Sequence, residues 1–362
     1  MKKDTPTIEE IAQDIIGEAV KIHSNDIHIL PESGEYIVYL RTSQYLKAIR
    51  HLTGEEGQRL VAYFKYLGNM DVGEHRRPQS GSYKITLKDQ ERDLRFSTMT
   101  NFHANESLVI RILNPIETID LRSFSFFPPV IDDLERLVKY QSGLILFSGP
   151  VGSGKTTTMY QLIRNENQSL AKNVICIEDP VEIEEVNFLQ IQVNNQAGIT
   201  YESLLKQSLR HHPDIIIVGE IRDEETANAV IRAALTGHLI LATIHAKNAE
   251  GVLPRLAELG VSKQLIAQVL IGIVFQKMLP RYCKQCKDNS LLSCQHIAVD
   301  QKQAVLFDVR QGRALEKIND PLQEDLLTFN SWLGKALEND YIDQKTFDHF
   351  AIPKTNTYYP AN

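Results

Sequence analysis

Residues 144–158 read LILFSGPVGSGKTTT. Leu144 to Phe147 is an apolar run of strand length, and Gly149-Pro150-Val151-Gly152-Ser153-Gly154-Lys155-Thr156 fits GxxxxGK[ST] in full. Glycines let successive backbone N–H groups turn inward around an anion, and such a loop opens onto a helix N-terminus, where the peptide dipoles favour negative charge. In a loop of this kind Lys155 reaches the β- and γ-phosphates of a nucleotide and the Thr156 hydroxyl sits on Mg²⁺. Thr157 continues the contact surface. The required context is present: a strand before the loop, and the helix-compatible TTTMYQLIRN from Thr156.

Outward from this loop the chain alternates strand and helix from 143 to about 280. NVICIE, FLQIQV, DIIIVGE and LILATIH are the further strand candidates, and helices are expected near 248–258 and 262–272. Continuous apolar strands are buried on both faces, as in a parallel sheet covered by helices. Asp214 to Glu220 places four apolar residues before a carboxylate, Glu220, at the strand's C-terminal end, where open α/β sheets bind ligands. Glu178-Asp179-Pro180-Val181-Glu182 follows another strand, which proline stops. Hydrolysis needs a carboxylate to position water. The residues alone do not choose between Glu178 and Glu182, and Asp179 is available to cap a local turn. His238 opens the last strand of the series and His245 closes it. A lone histidine is more often structural, so neither is assigned a role on this ground.

Residues 1–113 read as a smaller mixed α/β domain. Thr7-x-x-Glu10 is a capping box before an amphipathic helix. DIHIL and EYIVYLR form a hairpin about Pro31–Gly34, a helix spans about Glu55 to Leu67, and strands are expected near 82–87, 92–99 and 107–113. Residues 114–129, with Phe124, Phe126 and Phe127, read as a linker whose aromatics pack on a neighbouring domain. The nucleotide core covers 130–280. Residues 281–362 read as mainly helical, ending in a poorly ordered tail.

The 362 residues are 43% hydrophobic and 23% charged, with net charge −7, as in an ordinary globular chain. That charge and the lack of a basic-aromatic stripe argue against direct nucleic-acid binding. No apolar run approaches the ~18 residues of a membrane span, and the N-terminus lacks a secretory apolar core. Three of the four cysteines, Cys283, Cys286 and Cys294, cluster near His296; Cys176 lies in an apolar strand.

GPVGSGKTTT, ICIEDPVE, PDIIIVGEIRDEETA and TGHLILATIHAKNA stand in this order. They resemble the Walker A, Asp-box, Walker B and His-box motifs of the secretion and type IV pilus ATPases, the GspE/PulE-like family. SNDIHILP, MDVGEHRRPQSG, LRFSTM and ESLVIRIL extend the resemblance over about residues 8–283. It implies a RecA-like P-loop ATPase core behind a smaller PAS-like N-terminal domain. It also implies ATP and Mg²⁺ as ligands, the metal organised by Thr156 and Glu220. Glu182 then matches the catalytic carboxylate, Glu220 the Walker B residue, and His245 the His-box residue. Arg95 and Arg111 match first-domain arginines that reach over the phosphates when the two domains close. Further implications are a homohexameric ring, an inner-membrane pilus platform protein as partner, and a cytoplasmic place on the inner face of the membrane.

Larger assembly ATPases of the family carry an extra N-terminal domain, and retraction ATPases carry an AIRNLIRE-like helix. Neither is found here. The chain resembles the short ATPases of Gram-positive competence pili, which serve DNA uptake. Type II secretion, another pilus motor, or a motor acting directly on DNA are the alternatives. Cys283-Lys284-Gln285-Cys286 stands where many relatives begin a four-cysteine zinc module, but the second pair is missing. A Cys₃His site would need Cys294 and His296 at irregular spacing, so a degenerate site without zinc is expected.

Overall fold

The computed structural model describes residues 6–22, 24, 26–41, 46–87, 90–113, 120–167, 171–286, 294–298, 301–316 and 328–353. The chain divides into two compact units, Met1–Ile116 and Glu117–Asn362.

The first unit runs α1 (Ile8–Lys21), β1 (Asp26–Glu32), β2 (Glu35–Arg41), β3 (Leu46–Thr53), α2 (Gly54–Leu67), β4 (Gln79–Leu87), β5 (Gln90–Thr100) and β6 (Glu106–Leu113). Both helices open on reciprocal capping boxes, Thr7 with Glu10 and Thr53 with Glu56, which satisfy backbone donors that the first turn leaves free. The sheet order is β3-β2-β1-β6-β5-β4, and every pairing is antiparallel. Alternation puts Ile27, Ile29, Val38, Leu40, Leu94, Phe96, Leu108 and Ile110 in one core with Ile11, Ile15 and Ile16 of α1 and Leu60 and Phe64 of α2. Lys65 is buried with Glu106 at 2.8 Å and also donates to the Glu74 carbonyl at 2.7 Å, tying the turn after α2 to the sheet. Arg95 and Arg111 face each other across β5 and β6, alternating with the buried set, and Arg111 Nε donates to Asp26 Oδ1 at 2.8 Å. The strand β3 is an addition to the sequence reading. It is an edge strand with mostly exposed side chains, so its pattern shows little alternation.

The second unit begins with α3 (Leu121–Phe124) and α4 (Val130–Leu137), then β7 (Gly143–Ser148), α5 (Lys155–Asn167), β8 (Val174–Glu178), β9 (Leu189–Gln192), α6 (Tyr201–Ser208), β10 (Ile215–Val218), α7 (Glu224–Leu235) and β11 (Leu239–Ile244). It ends with α8 (Val252–Glu258), α9 (Lys263–Val269), β12 (Leu270–Pro280), β13 (Gln303–Gln311), α10 (Arg313–Glu316), α11 (Phe329–Glu338) and α12 (Gln344–Phe350). The sheet order is β13-β12-β7-β11-β10-β8-β9. All neighbours are parallel except β13, which runs antiparallel to β12. Every residue of β7, β8, β10 and β11 is buried, the signature of strands covered on both faces.

Two corrections to the sequence reading concern this unit. The helix expected near 262–272 stops at Val269, and an eleven-residue strand follows directly. Within the region read as mainly helical, β13 extends the core sheet. The aromatics of 124–129 pack onto the second unit: Phe126 stacks on Tyr341 at 6.2 Å and Phe127 meets Trp332 at 5.2 Å. The tail from 354, read as poorly ordered, lies outside the described residues. Among the described residues no helix is long and apolar enough to cross a membrane.

Candidate nucleotide site

Four neighbouring parallel strands, β7, β11, β10 and β8, deliver their C-terminal ends to one edge of the sheet. The phosphate loop leaves β7 there, the turn after His245 leaves β11, Glu220 follows β10, and the acidic loop to Glu182 leaves β8. Side chains far apart in sequence thus converge at the edge where open α/β sheets bind ligands.

The loop itself is shaped by its glycines. Gly149 has φ +144°, and a Cβ there would meet the Gln276 carbonyl oxygen at 2.2 Å, so β12 admits only glycine at this point. Gly154, at φ +84°, turns the backbone into α5. Lys155 Nζ donates to the carbonyls of Gly149 at 2.9 Å and Pro150 at 3.0 Å. Burial lowers the Lys155 pKa, and the nearby carboxylates of Glu220 and Glu182 oppose that shift. Lys155 is therefore within electrostatic reach of both Glu220 and Glu182. Thr156 and Thr157 lie half-buried in the first turn of α5.

Glu220 is held from two sides. Arg222 Nε donates to Oε2 at 2.7 Å, and His245 Nε2 lies 3.2 Å from Oε1. Arg222 also approaches Asp179 at 3.9 Å, linking the strand-end acid to the acidic loop. His245 thus stands beside Glu220 at this edge. His238 does not: it sits at the opposite end of β11, its carbonyl accepting from Gly143 N–H at 3.1 Å.

Burial separates Glu178 from Glu182. Glu178 is 5% exposed and accepts from the Tyr160 hydroxyl at 2.5 Å and from Gln190 Nε2 at 3.2 Å. It is a fixture of the core. Glu182 is exposed on the following loop. That loop is pinned on both sides of it: Gln192 Oε1 accepts from Val181 N–H at 3.3 Å, and Gln190 Nε2 donates to the Ile183 carbonyl at 2.7 Å. The pairing of Arg164 with the buried Glu185 anchors its far end.

Sequence reasoning missed Gln276, on β12. Fully buried, it donates through Nε2 to the Ser153 carbonyl at 2.7 Å and to the Thr158 hydroxyl at 3.2 Å. An amide inside the apolar run GIVFQKML was the available signal. Arg222 was also missed, although it stands two residues after Glu220.

A second cluster lies outside this edge. The ligand atoms of Cys283, Cys286, Cys294 and His296 all lie within 4.8 Å of one another. His296 Nδ1 is 3.1 Å from Cys286 Sγ and 3.8 Å from Cys283 Sγ. Tetrahedral zinc with bonds of about 2.0–2.3 Å needs donors roughly 3.5–4 Å apart, so the donor set and its size suit that metal despite the irregular spacing.

The family model described as type II/IV secretion system protein matches residues 1–318. The competence protein ComGA of Bacillus subtilis (strain 168) is 38% identical over 312 residues, covering 86% of this chain and 87% of its own length. The competence protein ComGA of Streptococcus pneumoniae is 44% identical over 276 residues, covering 75% of this chain and 85% of its own. Among solved structures, the ATPase DotB of Legionella pneumophila superposes with TM-score 0.74 at 18% identity, covering 96% of this chain and 97% of that one, which shows a shared fold.

Proposed function

Because the chain belongs to the type II/IV secretion system protein family and is an ATPase, we propose that it hydrolyses ATP to drive assembly of a competence-type pilus serving DNA uptake. The observation that carries the chemistry is the delivery of Lys155, Glu182, Glu220 and His245 to one edge by four neighbouring strands.

In this reading Lys155 and the backbone N–H groups of 151–157 hold the β- and γ-phosphates, and the low dielectric around the half-buried Lys155 strengthens that grip. Glu182, exposed on a loop pinned at Val181 and Ile183, orients the attacking water. Thr156 and Glu220 would hold Mg²⁺, which would offset the phosphate charge. Arg222 and His245 fix the rotamer of Glu220 from both oxygens. Arg95 and Arg111 are assigned to the charge that builds on the transferred phosphoryl group; such arginines are worth roughly 10³–10⁵ in rate. The assembly is read as a homohexameric ring on the cytoplasmic face of the membrane, acting on a pilus platform protein. A structural Zn²⁺ is assigned to Cys283, Cys286, Cys294 and His296.

The test is ATP turnover by the assembled protein together with DNA uptake by cells. Lys155→Ala and Glu182→Gln should each abolish turnover and transformation, and the Gln variant should still bind ATP. Wild-type turnover in either variant overturns the reading. Steeply salt-dependent binding of the purified protein to DNA would favour the motor acting directly on DNA.

A further inference from the structure

The strand that closes the second sheet carries a buried charge that the catalytic reading does not use. Arg310, on β13, is 2% exposed. Its Nη2 donates to Asp308 Oδ2 at 3.0 Å and to Glu250 Oε1 at 2.9 Å, and Nε lies 2.7 Å from Asp308 Oδ1. A buried guanidinium must be paired, and Asp308, itself 0% exposed, is the carboxylate packed against it on the same strand. Glu250 is a second carboxylate, brought from another part of the chain, with a side chain 35% exposed.

Glu250 lies in the turn that leaves β11 immediately after His245. That turn has little slack. Its Ala246 N–H donates to Ser148 Oγ at 3.1 Å, at the start of the phosphate loop. Its Gly251 N–H donates to Asn248 Oδ1 at 2.9 Å, and Ala249 is fully buried between them. A displacement of Glu250 is therefore passed to His245, whose ring meets Glu220 at 3.2 Å.

We propose that Arg310 is a positioning residue for the ATP site: through Glu250 it fixes the turn after β11 and so the angle at which His245 meets Glu220. This rests on the assignment of His245 and Glu220 to the nucleotide edge. It gives β13 a part in turnover, although this strand is four places from β10, the strand that Glu220 follows.

Steady-state ATP turnover of the assembled full chain tests it with Glu250→Gln, His245→Ala and the double variant. Glu250 is partly exposed, so the Gln form keeps its volume and should fold. Glu250→Gln should lower kcat about ten- to a hundredfold with KM for ATP within about twofold and the melting temperature unchanged. In the His245→Ala background it should cost nothing further, because both changes remove the same contact. Glu250→Asp should restore part of the rate. Wild-type kcat in Glu250→Gln, or independent multiplication of the two losses, overturns the inference while leaving His245 in the site. Wild-type kcat in His245→Ala removes His245 from the chemistry and takes the inference with it. A loss in Glu250→Gln that accompanies a lowered melting temperature and disappears on cooling also overturns it.

Discussion

Gln276 Nε2 lies 2.7 Å from the carbonyl oxygen of Ser153, and so ties β12 to the phosphate loop across 123 positions of sequence. The same nitrogen donates to the Thr158 hydroxyl, so one side chain braces the loop and the first turn of α5. Ser153 O can only accept, which fixes the amide orientation. Gln276→Leu keeps the volume and leaves a buried carbonyl without its donor, a cost of about 1–3 kcal/mol. A lowered melting temperature and a KM for ATP raised about tenfold, with a smaller change in kcat, are the expected results. Unchanged nucleotide affinity would show that the brace does not shape the loop.

Glu178 and Glu182 should separate cleanly on substitution. Glu178→Gln disturbs the buried cluster with Tyr160 and Gln190, so stability should fall by about 1–3 kcal/mol while turnover per folded molecule holds. Glu182→Gln removes an exposed carboxylate, so stability should hold while turnover falls by roughly 10²–10⁴. Denaturant unfolding and phosphate release measured on both variants decide the matter. The opposite pattern would move the catalytic carboxylate into the core.

The core was legible where strands are buried on both faces. LILF and IIIV are continuous apolar runs closed by motif residues, and they became β7 and β10. The choice of Glu182 came from resemblance; the residues alone had left Glu178 open. What separates the two is the hydroxyl of Tyr160, a contact across 18 positions that no local pattern reveals. The β13 strand stayed hidden because Asp308 and Arg310 interrupt its apolar pattern with ionisable side chains whose burial beside Glu250 no local pattern reveals. The start of β12 was hidden differently: VLIGIVF continues the apolar run of α9, and periodicity cannot place a helix-to-strand change inside such a run.

Asp308 should make stability fall as pH rises through neutrality. Burial is the main cause of a carboxyl pushed up to about 7, against the pull of Arg310. The folded pKa is above that of the unfolded chain, near 3.9, so the folded state holds the proton more tightly. Its stabilising contribution is complete below the unfolded value and is lost as pH rises through the folded one. Between pH 6 and 8 the loss is roughly 1 kcal/mol. Urea unfolding at both values should show it, and Asp308→Asn should flatten that part of the profile. A slope kept in the Asn variant would assign the effect to other groups.

Removal of metal should expose three thiols and spare the fourth. If Cys283, Cys286, Cys294 and His296 hold Zn²⁺, the thiolates are bound and react slowly with a thiol reagent. Cys176 is fully buried in β8 and stays protected in the folded protein whether or not metal is present. Elemental analysis of the protein purified without chelator should find one zinc per chain, and Cys283→Ser should lose it. Adding a strong chelator should then release the metal, make three thiols reactive, and lower the melting temperature, because a structural zinc contributes to folding directly. Cys283, Cys286 and Cys294 form a local module near the β12–β13 connection, so ATP turnover below that lowered temperature should change little. Three thiols reactive from the outset, with no zinc in the protein, would leave the four side chains as a reduced cluster and remove the metal assignment.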